Sequence, residues 1–198
     1  MNFLDAVNAA CDEIRIDRFT NLVGNASEDA ATMIALANDA GREIGGRANW
    51  RRMLRDVTIN AVPYIIPEDF DSVSSGGPLS FVAGGYARPV TSEALWQTIK
   101  TLPGQQPYYF LSDRNLDVVP FPGPVRFSYY SRNWIFGDDG TWSDRVRMDT
   151  DHTAFPENLL TLNTIVRWRR QKGLDFTDYL AEFEAEIQAA VANDRGAS

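Results

Sequence analysis

Histidine occurs once in this chain, at His152, and cysteine once, at Cys11. A His-rich metal site is therefore excluded, and any Ser–His or Cys–His nucleophile loses most of its support. A single cysteine leaves no intrachain disulfide and no thiolate cluster for zinc. Cys11 falls on the apolar stripe of a predicted helix, which reads as an inert buried thiol. Five aspartates, Asp138, Asp139, Asp144, Asp149 and Asp151, crowd one segment, but they lack the alternating ligand spacing of an EF-hand loop. Glu182 and Glu186 stand one helical turn apart, and paired carboxylates can hydrolyse glycosides; here they share a face that reads as solvated. Gly76-Gly77 and Gly84-Gly85 sit in no phosphate-binding context. Seven aromatics between Tyr108 and Tyr130 could stack on bases, yet packing explains them better in an acidic chain with no basic groove. No catalytic residue, metal or cofactor is expected.

The chain has 198 residues and a net charge of −8. That length suits one domain with a large insertion. The acidic balance argues against gripping nucleic acid, because phosphate affinity comes from Lys and Arg. It is compatible with a duplex sliding past an acidic wall. No apolar run is long enough to span a bilayer. Asp5 and the missing basic n-region do not fit a signal peptide, so synthesis in a reducing cytoplasm is expected.

The elements that must position these residues follow from periodicity. Asn2 to Ile14 reads as a helix with Phe3, Leu4, Val7, Ala10, Cys11 and Ile14 inward. A second helix starts at the N-cap Ser27 and runs to about Trp50, its inner face holding Ala30, Ile34, Ala37, Gly41, Ile44 and Ala48. Short segments rich in branched and aromatic residues then predict strands at Val57–Asn60, Tyr64–Ile66, Leu79–Val82, Tyr108–Leu111, Leu116–Val119 and Val125–Ser131. Tyr108 to Ser131 is expected to form an antiparallel meander. One helix interrupts the set, capped by Thr91, with Leu95, Trp96, Ile99 and Leu102 inward. The fold class is thus α+β: a helical bundle body, 1–56 and 154–198, around an antiparallel β-rich insertion with a long extended loop, 57–153.

That loop, Trp134 to Thr153, has no clear period but carries Trp134, Ile135, Phe136, Trp142 and Met148. So much apolar surface must lie on something, its own domain or a neighbouring subunit, and the neighbour is preferred. Beyond it, Glu157–Lys172 predicts a helix whose apolar sector, Leu159, Leu162, Ile165, Val166 and Trp168, is too broad for a single contact. A last helix from Asp175 carries the stripe Phe176, Tyr179, Leu180, Phe183, Ile187 and Val191. Basic Arg167, Arg170 and Lys172 on one helix and acidic Glu182 and Glu186 on the other offer complementary patches for stacking against copies of the same chain.

The ordered set FLDAVNAACDEI, SEDAATMIALANDAGREIGGRANWRRM, YIIPEDFD, RPVTSEALWQTIK, PYYFLSDRNLDVVPFPGPVRFSYYSRNWI, the loop from Trp134 and LLTLNTIVRWRRQKGLDFTDYLAEFEAEI resembles tailed-phage head-to-tail adaptor (connector) proteins over almost the whole chain. The resemblance implies a non-enzymatic neck protein of the virion. It implies a homo-oligomeric ring, typically a dodecamer, below the portal protein. Such a ring extends the channel for double-stranded DNA without binding it specifically, and docks a tail nozzle, tube or terminator protein. By that likeness the segment from Phe183 to Ser198, with Ile187, Val191, Asn193, Asp194 and Arg195, is the portal-reaching candidate, ordered at its end only by a partner. The loop from Trp134 to Met148 would face neighbours or the tail. Two rivals are a virion-associated cell-wall hydrolase and a tail-side completion or stopper protein.

Overall fold

A computed structural model describes residues 1–75, 77–102 and 104–196. Gly76 of the expected Gly-Gly-Pro turn, and Ala197 and Ser198 at the end of the portal-reaching candidate, lie outside the described residues. Along the chain run α1 (Phe3–Ile14), α2 (Glu28–Arg47), β1 (Leu54–Ile59), β2 (Tyr64–Ile65), β3 (Phe70–Val73), β4 (Leu79–Phe81), β5 (Arg88–Val90) and α3 (Glu93–Thr101). They continue with β6 (Tyr108–Ser112), β7 (Asn115–Val119), β8 (Val125–Ser131), β9 (Ile135–Phe136), β10 (Trp142–Ser143), β11 (His152–Thr153), α4 (Glu157–Gln171) and α5 (Thr177–Gly196). The α+β class stands. The chain divides into a unit of Met1–Met53 with Arg132–Ser198 and a second unit, Leu54–Ser131. Residues 132–153, grouped with the insertion on sequence, thus belong with the helices.

In the first unit α4 packs against α1, α2 and α5, which is why its apolar sector is so wide. Leu159, Leu160, Ile165 and Val166 are buried on it, with Asn163 and Thr164. α1 opens on a capping box: Asn2 Oδ1 accepts from Asp5 N at 2.9 Å and Asp5 Oδ2 accepts from Asn2 N at 3.1 Å. The next two orphan amides of that helix end, Phe3 N and Leu4 N, donate to the carbonyls of Asp151 and Asp149. α2 starts on the Ser27 hydroxyl, which accepts from Ala30 N. It ends at Arg47, short of Trp50, which is buried and donates Nε1 to the Ile44 carbonyl.

Residues 134–153 are not an extended arm. They fold into a small sheet of order β10-β9-β11. Trp134 and Ile135 are fully buried in the same core as Phe3, Met33, Ile44 and Leu159. The indole of Trp134 stacks on Phe155 at 5.7 Å and donates to the Asp144 carbonyl. Trp134 and Ile135 are thus covered within the chain, whereas Phe136 and Trp142 are half-buried and Met148 is exposed. At the C-terminus, Asn193 to Gly196 continue α5.

In the second unit one sheet has the order β1-β8-β3, with β4 also on β8, and the other β2-β7-β6-β5. β1 pairs with β8 from Leu54↔Tyr130 to Ile59↔Val125, so the chain enters and leaves this unit on adjacent strands. Phe127, Leu79, Leu116 and Val125 are fully buried here. The expected meander is broken. β6 and β7 form a hairpin, but β8 joins the other sheet, because Pro120, Pro122 and Pro124 between them offer no amide to continue the ladder. Phe70–Val73 and Arg88–Val90 are additional strands, and β5 pairs with β6 in parallel. α3 is capped by Ser92, not Thr91. Only Trp96 is buried on it, stacked on Phe110 at 5.6 Å. Leu95 and Leu102, expected inward, are 52% and 78% exposed.

Candidate interaction surface

The hairpin of α4 and α5 gathers most of the residues that sequence singled out, and it sorts them into three groups. Phe183 and Ile187 of the portal-reaching candidate are buried, 1% and 4% exposed, in the helical core. Their stripe pays the cost of docking α5 onto its own unit, so they offer no surface to a partner. Val191 is half-buried, while Asn193 and Arg195 are exposed and Asp194 is partly so; the Asp194 carboxylate accepts from Arg51 N at 2.9 Å.

Arg167 is likewise drawn inside. Its guanidinium donates to Glu43 Oε2 at 2.7 Å. Glu43 also accepts from Arg47 at 2.6 Å and from Asn163 at 3.1 Å, and Arg47 reaches Glu184 at 2.7 Å. Burial alone would raise the Glu43 carboxyl, but the hydrogen bonds from Asn163, Arg47 and Arg167 outweigh it and hold the group below its ordinary value. This network ties α2, α4 and α5 together, with Arg167 engaged to Glu43 within the chain.

Arg170 and Lys172 stay on the surface at the α4–α5 corner. Three cations there lie against three rings: Arg169 over Tyr179 at 5.2 Å, Arg170 over Phe176 at 4.9 Å, and Lys172 over Trp168 at 5.9 Å. Arg169 Nε also donates to the Asp175 carbonyl, and the Asp175 carboxylate accepts from the amide and hydroxyl of Thr177. Those two bonds hold the Asp175 carboxyl below its usual range, and the first gives the Thr177 amide at the start of α5 an acceptor. Glu182 and Glu186 are exposed on α5, and Glu186 accepts from Asn158 at 3.2 Å.

Two cavities flank the second half of α5. One, about 450 Å³, has a floor that includes Trp50, Phe155 and Ala190 and acidic groups Glu157, Glu186 and Asp194 on its wall. The other, about 410 Å³, lies between Arg47, Glu184, Ile187, Val191 and Arg195.

Three of the five aspartates of the 134–153 segment have structural work. Asp149 accepts from Leu22 N at 3.0 Å and Val23 N at 2.8 Å. Asp151 accepts from Arg147 N and Met148 N, and Asp139 from the amide and hydroxyl of Thr141. Sequence reasoning missed these roles, although Asx-type turns were a signal available in the spacing. His152 Nδ1 lies 3.1 Å from the Met1 carbonyl. Phe136 and Trp142 are half-buried against each other at 5.1 Å, and Met148 is 55% exposed. Among the described residues no group of three His, Cys, Asp or Glu could hold a metal ion, and no helix is long and apolar enough to cross a membrane.

The chain is an α+β protein whose singled-out side chains are packed, paired or spread over helix surfaces. The family model described as SU10 adaptor protein matches residues 1–198, and the chain belongs to that family of phage head-to-tail adaptors. No curated protein matches it.

Proposed function

We propose that this phage adaptor acts as a ring of copies in the neck of the virion, below the portal, where it extends the DNA channel and presents a docking surface to the tail. Its action is assembly and not turnover. The observation that carries this reading is the family match over the full length of the chain. Two features support it. A net charge of −8 suits a wall past which DNA must move without adhering. The exposed positions of the α4–α5 hairpin, Arg170 and Lys172 against Glu182 and Glu186, offer opposite signs to successive copies. On this reading Val191, Asn193, Asp194 and Arg195 serve the portal side, and Phe136, Trp142 and Met148 serve a tail component or a neighbour. Sedimentation of the full chain with and without its portal protein, with electron microscopy of the product, tests the proposal. A ring with a hole wide enough for a duplex is expected; a chain that stays apart from the portal would overturn it.

A further inference from the structure

The two ends of α4 carry surfaces that differ in shape and sign. At its start lies the cavity of about 450 Å³, floored by buried Trp50 and Phe155, with the carboxylates of Glu157, Glu186 and Asp194 around it. One guanidinium, Arg52, also lines it, and its Nη1 is turned to the Thr153 carbonyl at 3.2 Å. Three carboxylates against one guanidinium leave this wall net acidic. At the other end of α4, roughly 22 Å away at 1.5 Å per residue, four of the chain's nineteen cationic side chains, Arg167, Arg169, Arg170 and Lys172, fall within six residues. Arg167 is held by Glu43 and Arg169 by the Asp175 carbonyl. Arg170 and Lys172 lie over Phe176 and Trp168 and remain exposed to solvent, as does Leu174, 44% exposed.

Resting on the ring proposed above, we infer that the Arg170–Lys172 corner of one copy docks into the Trp50–Phe155 cavity of the next. Two copies of a chain at −8 repel on average, so a contact that sets a basic patch against an acidic one is favoured in encounter and register. This corner presents two exposed cations within three residues, and the carboxylates of Glu157, Glu186 and Asp194 in the cavity lining supply the opposing charge. The chemistry of the cavity suits a long cationic side chain: aromatic and Ala surface for the methylene stem, carboxylates for the head. The corner has the Arg and aromatic composition of interface centres, and its rings hold the cations in place before contact. Because the two patches lie on opposite ends of one helix, the contact is heterologous. Each copy has one of each, so the contact can repeat from copy to copy, as a ring requires.

Paired cysteines test this directly. Full-length protein carrying both Lys172→Cys and Asn193→Cys, assembled with its portal and oxidised, is expected to give a ladder of trimers and larger species on a non-reducing gel. Either single variant alone should give no species above a dimer, and a mixture of the two singles should give heterodimers only. Buried Cys11 is unchanged in all of them. A double variant that yields no species beyond the dimer overturns the contact. So does a single Lys172→Cys variant that dimerises as well as the mixture, since that would place two corners together. Microscopy of the same samples separates the two levels: rings without a ladder overturn this contact and leave the ring standing, while neither rings nor ladder overturns both.

Discussion

Gly41 of α2 lies directly beneath the indole of Trp134. A Cβ built on Gly41 would come within 2.2 Å of Trp134 Cη2 and 2.4 Å of Cζ3. The ring occupies the space that any other residue would need. Gly41→Ala is expected to destabilise the helical unit by about 1–3 kcal/mol through overpacking. Gly46, a turn further on the same helix, has nothing within 4 Å of its Cβ position, so Gly46→Ala should stabilise by about 0.5–1 kcal/mol through helix propensity. Urea midpoints of the two variants should move in opposite directions.

Glu43 links Arg47, Asn163 and Arg167, so Glu43→Gln should weaken the joint of α2, α4 and α5 by about 1–2 kcal/mol at neutral pH. The sign of its pH dependence follows from its carboxyl lying below the ordinary value of 4.5. Its contribution is complete above that value and is lost as pH falls through the lowered folded-state value. Denaturation of wild type and variant across the acid range should show the stability gap closing as pH drops. A gap that stays constant would show that the carboxylate charge is not what matters.

The Asp149 carboxylate holds the amides of Leu22 and Val23, and Leu22 is fully buried. Asp149→Ala leaves those donors without their acceptor and should cost about 1–3 kcal/mol. Asp149→Asn keeps one acceptor oxygen and should cost less. Thermal melts rank the three proteins, and amide exchange at Val23 should accelerate most in the alanine variant.

Cys11 is fully buried, and burial pushes its thiol up to about 11, with Asp12 adding to the rise and Arg18 opposing it. The chain has no other thiol. A thiol reagent at mildly alkaline pH should therefore leave the native protein unlabelled and react fully on unfolding. Rapid labelling of the native chain would contradict this packing.

Much of the fold is written locally. The spacing of Phe3, Val7 and Ile14, the Ser27 cap, the wide apolar sector of α4 and the short branched runs between Val57 and Ser131 fixed helices, strands and the α+β class, because periodicity and capping depend on neighbours a few residues away. Composition likewise set the acidic charge and the absence of paired thiols. Which surface each apolar group would meet was a non-local choice. Trp134 found Gly41, about ninety residues away in sequence, and so a supposed arm became core. β8 left the β6–β7 hairpin for β1, from which it is separated in the chain by six other strands and α3. Phe183 and Ile187 read equally well as a stripe for a partner or for the chain's own helices; only packing against α4 placed them inside. Periodicity shows that a face is apolar, but the cheapest way to cover it depends on every other element competing for the same space, and that competition is resolved in three dimensions alone.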